Sequence, residues 1–251
     1  MLDSLLSMPR DPDDREDRPA RPRARTARLL DVVDPSHPLF VMTATTVALT
    51  ASYWGYTRFA KRIRTVQDLV LPTRSFKGTV TSVGDADNFR VYHQPLLKTF
   101  STVPTKRSQL KGETIHVRLA GVDAPEMAHF GKPAQPYSQE AFDFLNELVS
   151  KRRVVVEPFE RDRYERVVSM CYVRRRTFPW LVRGKRVNVS EEMLKAGLAT
   201  VYKQAGAVHD GKLKRFEELE RKAKMKRLGM WSIDSRAYES PAEYKKRISA
   251  P

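Results

Sequence analysis

Short runs of alternating apolar and polar residues occupy the middle of the chain. A period of two residues is typical of a strand with one buried face. Three such runs lie at residues 78–83, 88–92 and 115–120, and apolar strand-like runs follow at residues 154–157 and 167–173. In the run at 115–120, Arg118 falls on the face opposite the apolar residues.

Helical spacing of apolar residues begins later, at residues 136–149. A second helix is predicted from Ser190, its N-cap, to Gly197. A last, highly charged helix is predicted over residues 211–228, ending before Gly229. Strands come first and helices late. This order favours a small closed β-barrel with packed α-helices, an α+β fold, over a parallel βαβ sheet.

The first 37 residues are dense in Arg, Asp and Pro and poor in aromatic side chains. Such a composition buries too little apolar surface to offset the entropy of ordering, so residues 1–37 are predicted to be disordered. Asp3 and the acidic residues between 11 and 17 do not suit a secretory signal or an ordinary cleaved mitochondrial leader.

Residues 38–57 carry no charge, and about 20 residues suffice to cross a hydrocarbon core. Aromatic residues close this segment and a basic linker, residues 58–70, follows it, as is typical of a membrane–water interface. The sequence therefore predicts a single transmembrane helix at 38–57. A buried soluble helix is the alternative, because the segment contains five hydroxyl residues: Thr43, Thr45, Thr46, Thr50 and Ser52.

The charge balance indicates an anionic partner. The 251 residues carry a formal net charge of +16, and 41% are hydrophobic, as in a globular protein. Nucleic acid or an acidic lipid surface would suit this excess of cations, and a solvated basic surface without a ligand is the alternative. Cys171 is the one cysteine, which excludes an intrachain disulfide, and its apolar surroundings predict a buried, inert thiol. No protein partner is identifiable.

Four charged clusters carry candidate chemistry: residues 85–87, residues 118–126, residues 161–166 and the final helix, which is rich in Lys and Arg. Carboxylates in loops at strand ends can gather a hard cation such as Ca²⁺ or Mg²⁺. A nearby arginine can bind phosphate through two parallel hydrogen bonds, and a further carboxylate can deprotonate water. Each cluster alone is more typical of an ordinary turn or a surface charge.

Taken in chain order, these clusters resemble the staphylococcal-nuclease-like family. The motifs that carry the resemblance span about residues 78–232. They are Asp85-Ala86-Asp87-Asn88, Arg118 to Glu126, Pro136-Tyr137-Ser138-Gln139-Glu140-Ala141, Asp162-Arg163-Tyr164-Glu165-Arg166, Val187-Asn188 with Leu194 to Ala199 and Val201-Tyr202, and Leu228-Gly229-Met230-Trp231-Ser232.

The resemblance implies a role for each matched residue. Asp87 and Asp123 would ligate Ca²⁺, and Glu126 would act as the general base or orient the attacking water. Arg118 and Arg166 would clamp the scissile phosphate.

The resemblance also implies a calcium-dependent endonuclease that hydrolyses phosphodiester bonds of DNA or RNA. Tyr164 and Tyr202 would line its nucleotide pocket, and the barrel would be a five-stranded OB-fold. The N-terminal span is similar to that of fungal members anchored in mitochondrial membranes, which predicts a single-pass mitochondrial membrane protein. The predicted organisation is a disordered segment at 1–37, a transmembrane helix at 38–57, a linker at 58–70, the nuclease-like domain at 71–232 and a tail at 233–251.

Several positions depart from the family pattern. Ala86 replaces a turn glycine, Asn88 and Ala124 each replace a threonine, and Glu165 replaces the glycine before Arg166. Glu165 also brings a negative charge close to the phosphate clamp. The basic stretch at 94–112 is interpreted as an extended hairpin loop, either touching substrate or forming a plain surface insertion.

Two other functions compete with catalysis. The same barrel can bind nucleic acid without cutting it, as inactive copies in the family do. A membrane tether whose basic domain docks on acidic lipid is the other alternative. Inactive copies lose carboxylates and arginines, whereas this chain keeps all five matched positions, which favours the enzyme.

Overall fold

The computed structural model describes residues 35–36, 38–71, 74–128, 131–175, 184–234 and 238–249. The chain divides into two compact units, residues 1–53 and 54–251. The strands are β1 (Phe76–Asp85), β2 (Asn88–His93), β3 (Ile115–Leu119), β4 (Val122–Asp123), β5 (Arg153–Arg161), β6 (Val167–Arg174), β7 (Arg186–Asn188) and β8 (Thr200–Val201). The α-helices are α1 (Pro38–Gly55), α2 (Arg107–Leu110), α3 (Ser138–Val149), α4 (Val189–Ala196), α5 (Leu213–Met225) and α6 (Pro241–Ser249).

Five strands close into a barrel. The order β3-β2-β1-β5-β6 is antiparallel throughout, and a parallel pairing of β3 with β6 closes the ring. This parallel pair joins Val117 to Val167 and Leu119 to Ser169. Closure removes the free edges of the sheet, which are otherwise sites of unwanted pairing. The predicted five-stranded, OB-like barrel with packed helices is confirmed.

Alternation along the strands fills the barrel interior. Ile115, Val117 and Leu119 of β3 are buried, while His116 and Arg118 between them are partly exposed. A side chain on β2, Phe89, is fully buried in the same core. Cys171 is also buried and free, so the prediction of an inert core thiol is confirmed. Burial raises the pKa of that thiol well above its ordinary value.

Helices α3, α4 and α5 supply the layer outside the barrel. The N-cap of helix α4 lies two residues earlier than predicted: it is Asn188, whose side chain accepts a hydrogen bond from the Glu191 amide. The expected cap, Ser190, lies inside the helix and donates to the Ala120 carbonyl. Gly197 ends the helix at φ 70°, as predicted.

The N-terminal prediction is corrected in one respect. Residues 38–55 form α1, but no helix in the described part of the chain is long and apolar enough to cross a membrane. The hydroxyl residues that interrupt the apolar sequence are the physical reason. Thr43 and Thr46 use their hydroxyl groups to donate to backbone carbonyls of their own helix. The predicted disorder at 1–37 falls almost entirely outside the described residues.

Two segments outside the predicted strands and helices contain regular structure: the stretch at 94–112 and the predicted tail. The basic stretch at 94–112 does link two paired strands, β2 and β3, and it contains a 3₁₀ turn at Leu96–Lys98 and the short helix α2. The predicted tail at 233–251 contains α6, whose Tyr244 is buried. The tail is therefore a packed element.

Candidate active site

The site lies at one end of the barrel, where β1 ends and β2 begins. Asp87 occupies the turn between these strands and is buried. Arg118, near the end of β3, donates from Nε to Oδ2 of Asp87 over 3.2 Å. Asn88 donates to the other Asp87 oxygen over 2.9 Å. The strand pairing of Asn88 with Arg118 places this turn beside the arginine.

A second carboxylate approaches the same arginine. Asp123 belongs to β4, which pairs with β8, and is 2% exposed. Its Oδ1 lies 3.7 Å from Nη2 of Arg118. Its Oδ2 is buried without a hydrogen-bond partner among the described residues. A buried carboxylate oxygen without a partner is costly, so such a group in a native fold points to a missing ligand.

Glu126 follows in the loop after β4. Its amide donates to Oε1 of Gln135 over 2.9 Å, and the amide of Gln135 donates back to the Glu126 carbonyl over 2.9 Å. This reciprocal pair fixes the backbone of an otherwise irregular segment. The side chain of Glu126 keeps more exposure than that of Asp123, at 28% against 3%. It is therefore the carboxylate of the two that water can reach more easily.

Arg166 enters the site from the turn before β6. Asp162 accepts hydrogen bonds from both the amide and Nε of Arg166, over 2.9 Å and 2.7 Å. These bonds hold the guanidinium while leaving its Nη groups as donors. Glu165, in the same turn, adopts φ 57°. This left-handed conformation explains why glycine suits the position in the family pattern.

Each predicted pocket tyrosine stacks near one of the two arginines. The guanidinium carbon of Arg118 lies 5.0 Å from the ring centroid of Tyr202. That of Arg166 lies 5.3 Å from the ring of Tyr164, which is 61% exposed. The two pairs give the site aromatic faces that a nucleotide base could contact.

One site residue escaped sequence reasoning. Lys245, on α6, places Nζ 2.7 Å from Oδ1 of Asp123 and 2.7 Å from Oε1 of Glu126. A local signal for this helix exists in the sequence, since Ser240, Pro241 and Glu243 form a capping box with proline at the first helical position. No local signal indicates where the helix packs.

Burial and charge act on the site carboxylates in opposite directions. Burial alone would raise the pKa of Asp87, but the charges of Arg118, Arg166 and Lys245 lower it below its ordinary value. Burial raises the pKa of Asp123, and the Lys245 ammonium offsets this only in part. Additional positive charge at the site would lower the pKa of Asp123 and so offset the effect of its burial.

Asp85 adds a further acidic group at the same end of the barrel. Burial, and then the negative charge of Asp87, raise its pKa to about 6. Its Oδ1 accepts a hydrogen bond from the Ala86 amide over 2.8 Å. Ala86 keeps a negative φ, so losing the family's glycine there strains nothing.

The fold thus gathers the predicted groups from four separate segments. Asp87, Arg118 and Asp123 form one contiguous set, and Glu126 joins Asp123 through Lys245. Arg166 contacts Asp162 rather than these carboxylates, but its charge acts on Asp87. The placement of these residues is observed, while their catalytic roles stay predictions.

The barrel and the order of these segments define a class of protein. Residues 116–233 match the family model described as Staphylococcal nuclease homologue. The chain belongs to the staphylococcal nuclease family.

Similar proteins include three from fungi. "Probable endonuclease lcl3" of Botryotinia fuckeliana is 43% identical over 220 residues, which cover 84% of this chain and 81% of the relative. "Probable endonuclease LCL3" of Schizophyllum commune is 43% identical, with 82% and 73% covered. The protein of the same name from Debaryomyces hansenii is also 43% identical, with 84% and 91% covered.

Proposed function

We propose that this protein is a calcium-dependent endonuclease that hydrolyses phosphodiester bonds of DNA or RNA. One observation carries the proposal: a single arginine, Arg118, lies between two buried carboxylates, Asp87 and Asp123, at one end of the barrel. A carboxylate pair beside a guanidinium suits a phosphate bound together with a cation. Membership of the nuclease family and the names of the relatives support the same activity.

The residues present fit a hard divalent cation. The donors are carboxylate oxygens, and Oδ2 of Asp123 is buried with no partner in the described residues. Within the described ranges, no three His, Cys, Asp or Glu side chains group closely enough to hold a metal ion. Asp87 and Asp123 would therefore hold Ca²⁺ jointly with water and substrate oxygens. Bound there, it would neutralise charge on the phosphate.

The reaction then needs a base and a clamp. Glu126 is the more exposed carboxylate and would take a proton from the attacking water as the new bond to phosphorus forms. Arg118 and Arg166 would donate to the phosphate oxygens on which negative charge accumulates. The ester oxygen on the far side leaves as the old bond to phosphorus breaks. Tyr164 and Tyr202, each near one arginine, would face the bases.

The direct test is cleavage by the purified full-length chain. Single- and double-stranded DNA and RNA would be incubated with the protein in Ca²⁺ or in excess chelator. We expect cleavage in Ca²⁺ and none in chelator, and Zn²⁺ should not replace Ca²⁺ because the donors are hard oxygens. Undiminished cleavage in chelator would contradict the metal assignment. Binding of every substrate without cleavage would favour the binding module instead.

We also propose a mitochondrial location, which rests on the resemblance to fungal family members alone. Fractionation of cells that express the tagged full-length chain tests it. Recovery of the protein outside the mitochondrial fraction would contradict this proposal without affecting the proposed activity.

A further inference from the structure

A lysine side chain occupies the space between the predicted metal ligand and the predicted base. Nζ of Lys245 lies 2.7 Å from an oxygen of Asp123 and 2.7 Å from an oxygen of Glu126. These two carboxylates come from β4 and the loop after it, more than a hundred residues earlier in the chain. One ammonium thus engages both groups that the proposed reaction requires to be available.

The helix that carries this lysine is built as an independent, well-capped element. The amide of Ser240 donates to Glu243 over 2.8 Å, and the Glu243 amide donates back to the Ser240 hydroxyl over 3.2 Å. This capping box fixes the start of α6 without help from the barrel. An ion pair of 2.7 Å joins Arg247, in the last turn of α6, to Glu239, which lies just before the helix. These local contacts favour the helical conformation of α6 independently of the barrel.

The docked position is held by contacts with the loop that carries Glu126 and with the 3₁₀ turn at Gly229–Ser232. The hydroxyl of Tyr244 donates to the Pro133 carbonyl, and its ring is buried. Gln135, which holds the Glu126 backbone, also donates to the Glu239 carbonyl over 3.3 Å. Tyr238, just before the helix, adds a hydrogen bond from its hydroxyl to the Met230 sulfur over 3.8 Å and a ring contact with Trp231 at 4.9 Å. Withdrawal of α6 would break these contacts and leave the barrel strands paired.

The Lys245 ammonium and a divalent cation would compete for the same carboxylate. The Lys245 ammonium satisfies one oxygen of Asp123, and the other oxygen stays buried without a partner in the described chain. A divalent cation brings twice the charge and can use both oxygens. An ammonium and a divalent cation at hydrogen-bonding distance from one carboxylate would repel each other.

We propose that Lys245 is an internal cation that competes with the divalent cation for Asp123 and Glu126, so that α6 must withdraw before the site can bind the ion. This inference rests on the proposed function, because it concerns access to that same site. The docked helix keeps the resting protein closed. The apparent dissociation constant of the protein for the ion is then the dissociation constant of the open state divided by the fraction of molecules in that state.

The test compares three full-length proteins: wild type, Lys245→Met and Lys246→Met. Methionine keeps the length of the side chain and removes the charge. Lys246 is the adjacent, exposed position on the same helix, so its variant controls for the removal of one positive charge. Calcium binding would be measured by isothermal titration calorimetry without nucleic acid. Hydrogen exchange of residues 238–249 would be followed by mass spectrometry, with and without Ca²⁺. Circular dichroism would check that each variant is folded.

We expect Lys245→Met to bind Ca²⁺ about tenfold more tightly than wild type, as for a site that is closed in roughly nine molecules of ten. Lys246→Met should stay within about twofold of wild type, because a charge on an exposed side chain is screened by salt. In wild type, Ca²⁺ should accelerate exchange in residues 238–249. This second measurement needs no variant, so it stays decisive even if Lys245→Met fails to fold.

Two results would overturn the proposal and leave calcium-dependent cleavage standing. One is equal calcium affinity in wild type and Lys245→Met. The other is exchange in residues 238–249 that Ca²⁺ slows or leaves unchanged. A different result, in which none of the three proteins binds Ca²⁺ and cleavage proceeds in chelator, would overturn both this inference and the proposed metal dependence.

Discussion

The two ends of the barrel differ in the charged side chains that they carry. At one end, carboxylates and arginines interleave, with Arg118 between Asp87 and Asp123. At the other end, where β1 begins and β2 and β6 finish, the described residues that line a groove include nine Lys or Arg side chains and one carboxylate, Asp68. The cations are Arg58, Lys61, Arg62, Arg74, Lys77, Arg152, Arg153, Arg174 and Arg186.

This difference assigns attraction of the polyanion to one end of the barrel and bond cleavage to the other. The basic groove contributes a long-range field that draws any polyanion toward the protein. Bond cleavage instead needs carboxylates and a guanidinium held at fixed distances from one another. Most of the +16 net charge therefore need not serve catalysis. Changes at the acid–arginine end should alter turnover, and changes at the basic end should alter affinity.

Removing the base should give the largest effect. We expect Glu126→Gln to lower kcat by ~10²–10⁴-fold, the usual contribution of a positioned acid–base group. The amide keeps the shape and exposure of the side chain but cannot accept the proton. Single-turnover kinetics in saturating Ca²⁺ measures the effect. Turnover at the wild-type rate would remove Glu126 from the mechanism.

The two arginines should follow, with a fall of about 10²-fold or more in kcat for Arg118→Lys or Arg166→Lys. A lysine keeps the charge but lacks the planar pair of donors, so transition-state stabilisation should fall more than substrate affinity. Steady-state kinetics separates kcat from KM for each variant.

Arg163→Lys is the matched control for these variants. Arg163 shares the charged turn with Arg166 and stacks on the same Tyr164 ring, at 4.8 Å. Arg161 is unsuitable as a control, because its guanidinium donates to the Gln67 and Leu69 carbonyls. A mild and equal loss of activity in all three variants would indicate a general field and favour a binding module.

At the basic end, we expect the double variant Lys61→Ala/Lys77→Ala to raise KM for long polynucleotides by about threefold to tenfold and to leave kcat unchanged. Both lysines are exposed and form no ion pair within the described residues. The slope of log affinity against log salt should fall by roughly one for each phosphate that the protein no longer neutralises. A substrate too short to reach the groove is the control and should bind both proteins equally. A fall in kcat would break the division between the two ends.

The strands were predictable because local pattern decides them. Residues 115–120 alternate in sequence, and the structure buries Ile115, Val117 and Leu119. The N-cap of α4 was missed because Asn188 and Ser190 are both good caps and only packing chooses between them. Lys245 was missed for a similar reason, since its partners Asp123 and Glu126 are distant in sequence. Local patterns predict elements, whereas contacts between distant segments depend on how the elements pack.

A pH effect on stability should come from one histidine at each end of the barrel. Burial, and then the charges of Arg62 and Arg153, lower the pKa of His93 from its ordinary value to about 4. Folded protein keeps this imidazole neutral, and its Nδ1 accepts a hydrogen bond from the Ile63 amide over 2.8 Å. The unfolded chain binds a proton near pH 6.5. Stability from this group is therefore present above about pH 6.5 and is lost as the pH falls toward 4.

We expect His93→Gln to reduce the fall in Tm between pH 6.5 and pH 4, because glutamine can accept the same hydrogen bond without titrating. Thermal denaturation at several pH values measures it. His116 offers a comparison from the other end, since burial and the charges of Arg90 and Arg166 lower its pKa to about 4 as well. His116→Gln should give a similar reduction. An unchanged pH profile in both variants would mean that neither histidine governs acid stability.

The smallest expected effect concerns Glu165, where the turn before β6 departs from the family pattern. Glu165 adopts φ 57°, a conformation that costs a non-glycine residue roughly 1–2 kcal/mol. Glycine removes this cost, but the unfolded chain then gains about 0.5–1 kcal/mol of conformational freedom. Glu165→Gly should therefore raise the free energy of unfolding by about 1 kcal/mol or less, measured by urea denaturation. Glu165→Ala is the control, since alanine removes the charge and keeps the strained φ. A gain in glycine and none in alanine would assign the effect to the backbone. An equal gain in both would assign the effect to the charge of Glu165 beside Arg166. The stability of this turn would then depend on the same charge interactions that distinguish the two ends of the barrel.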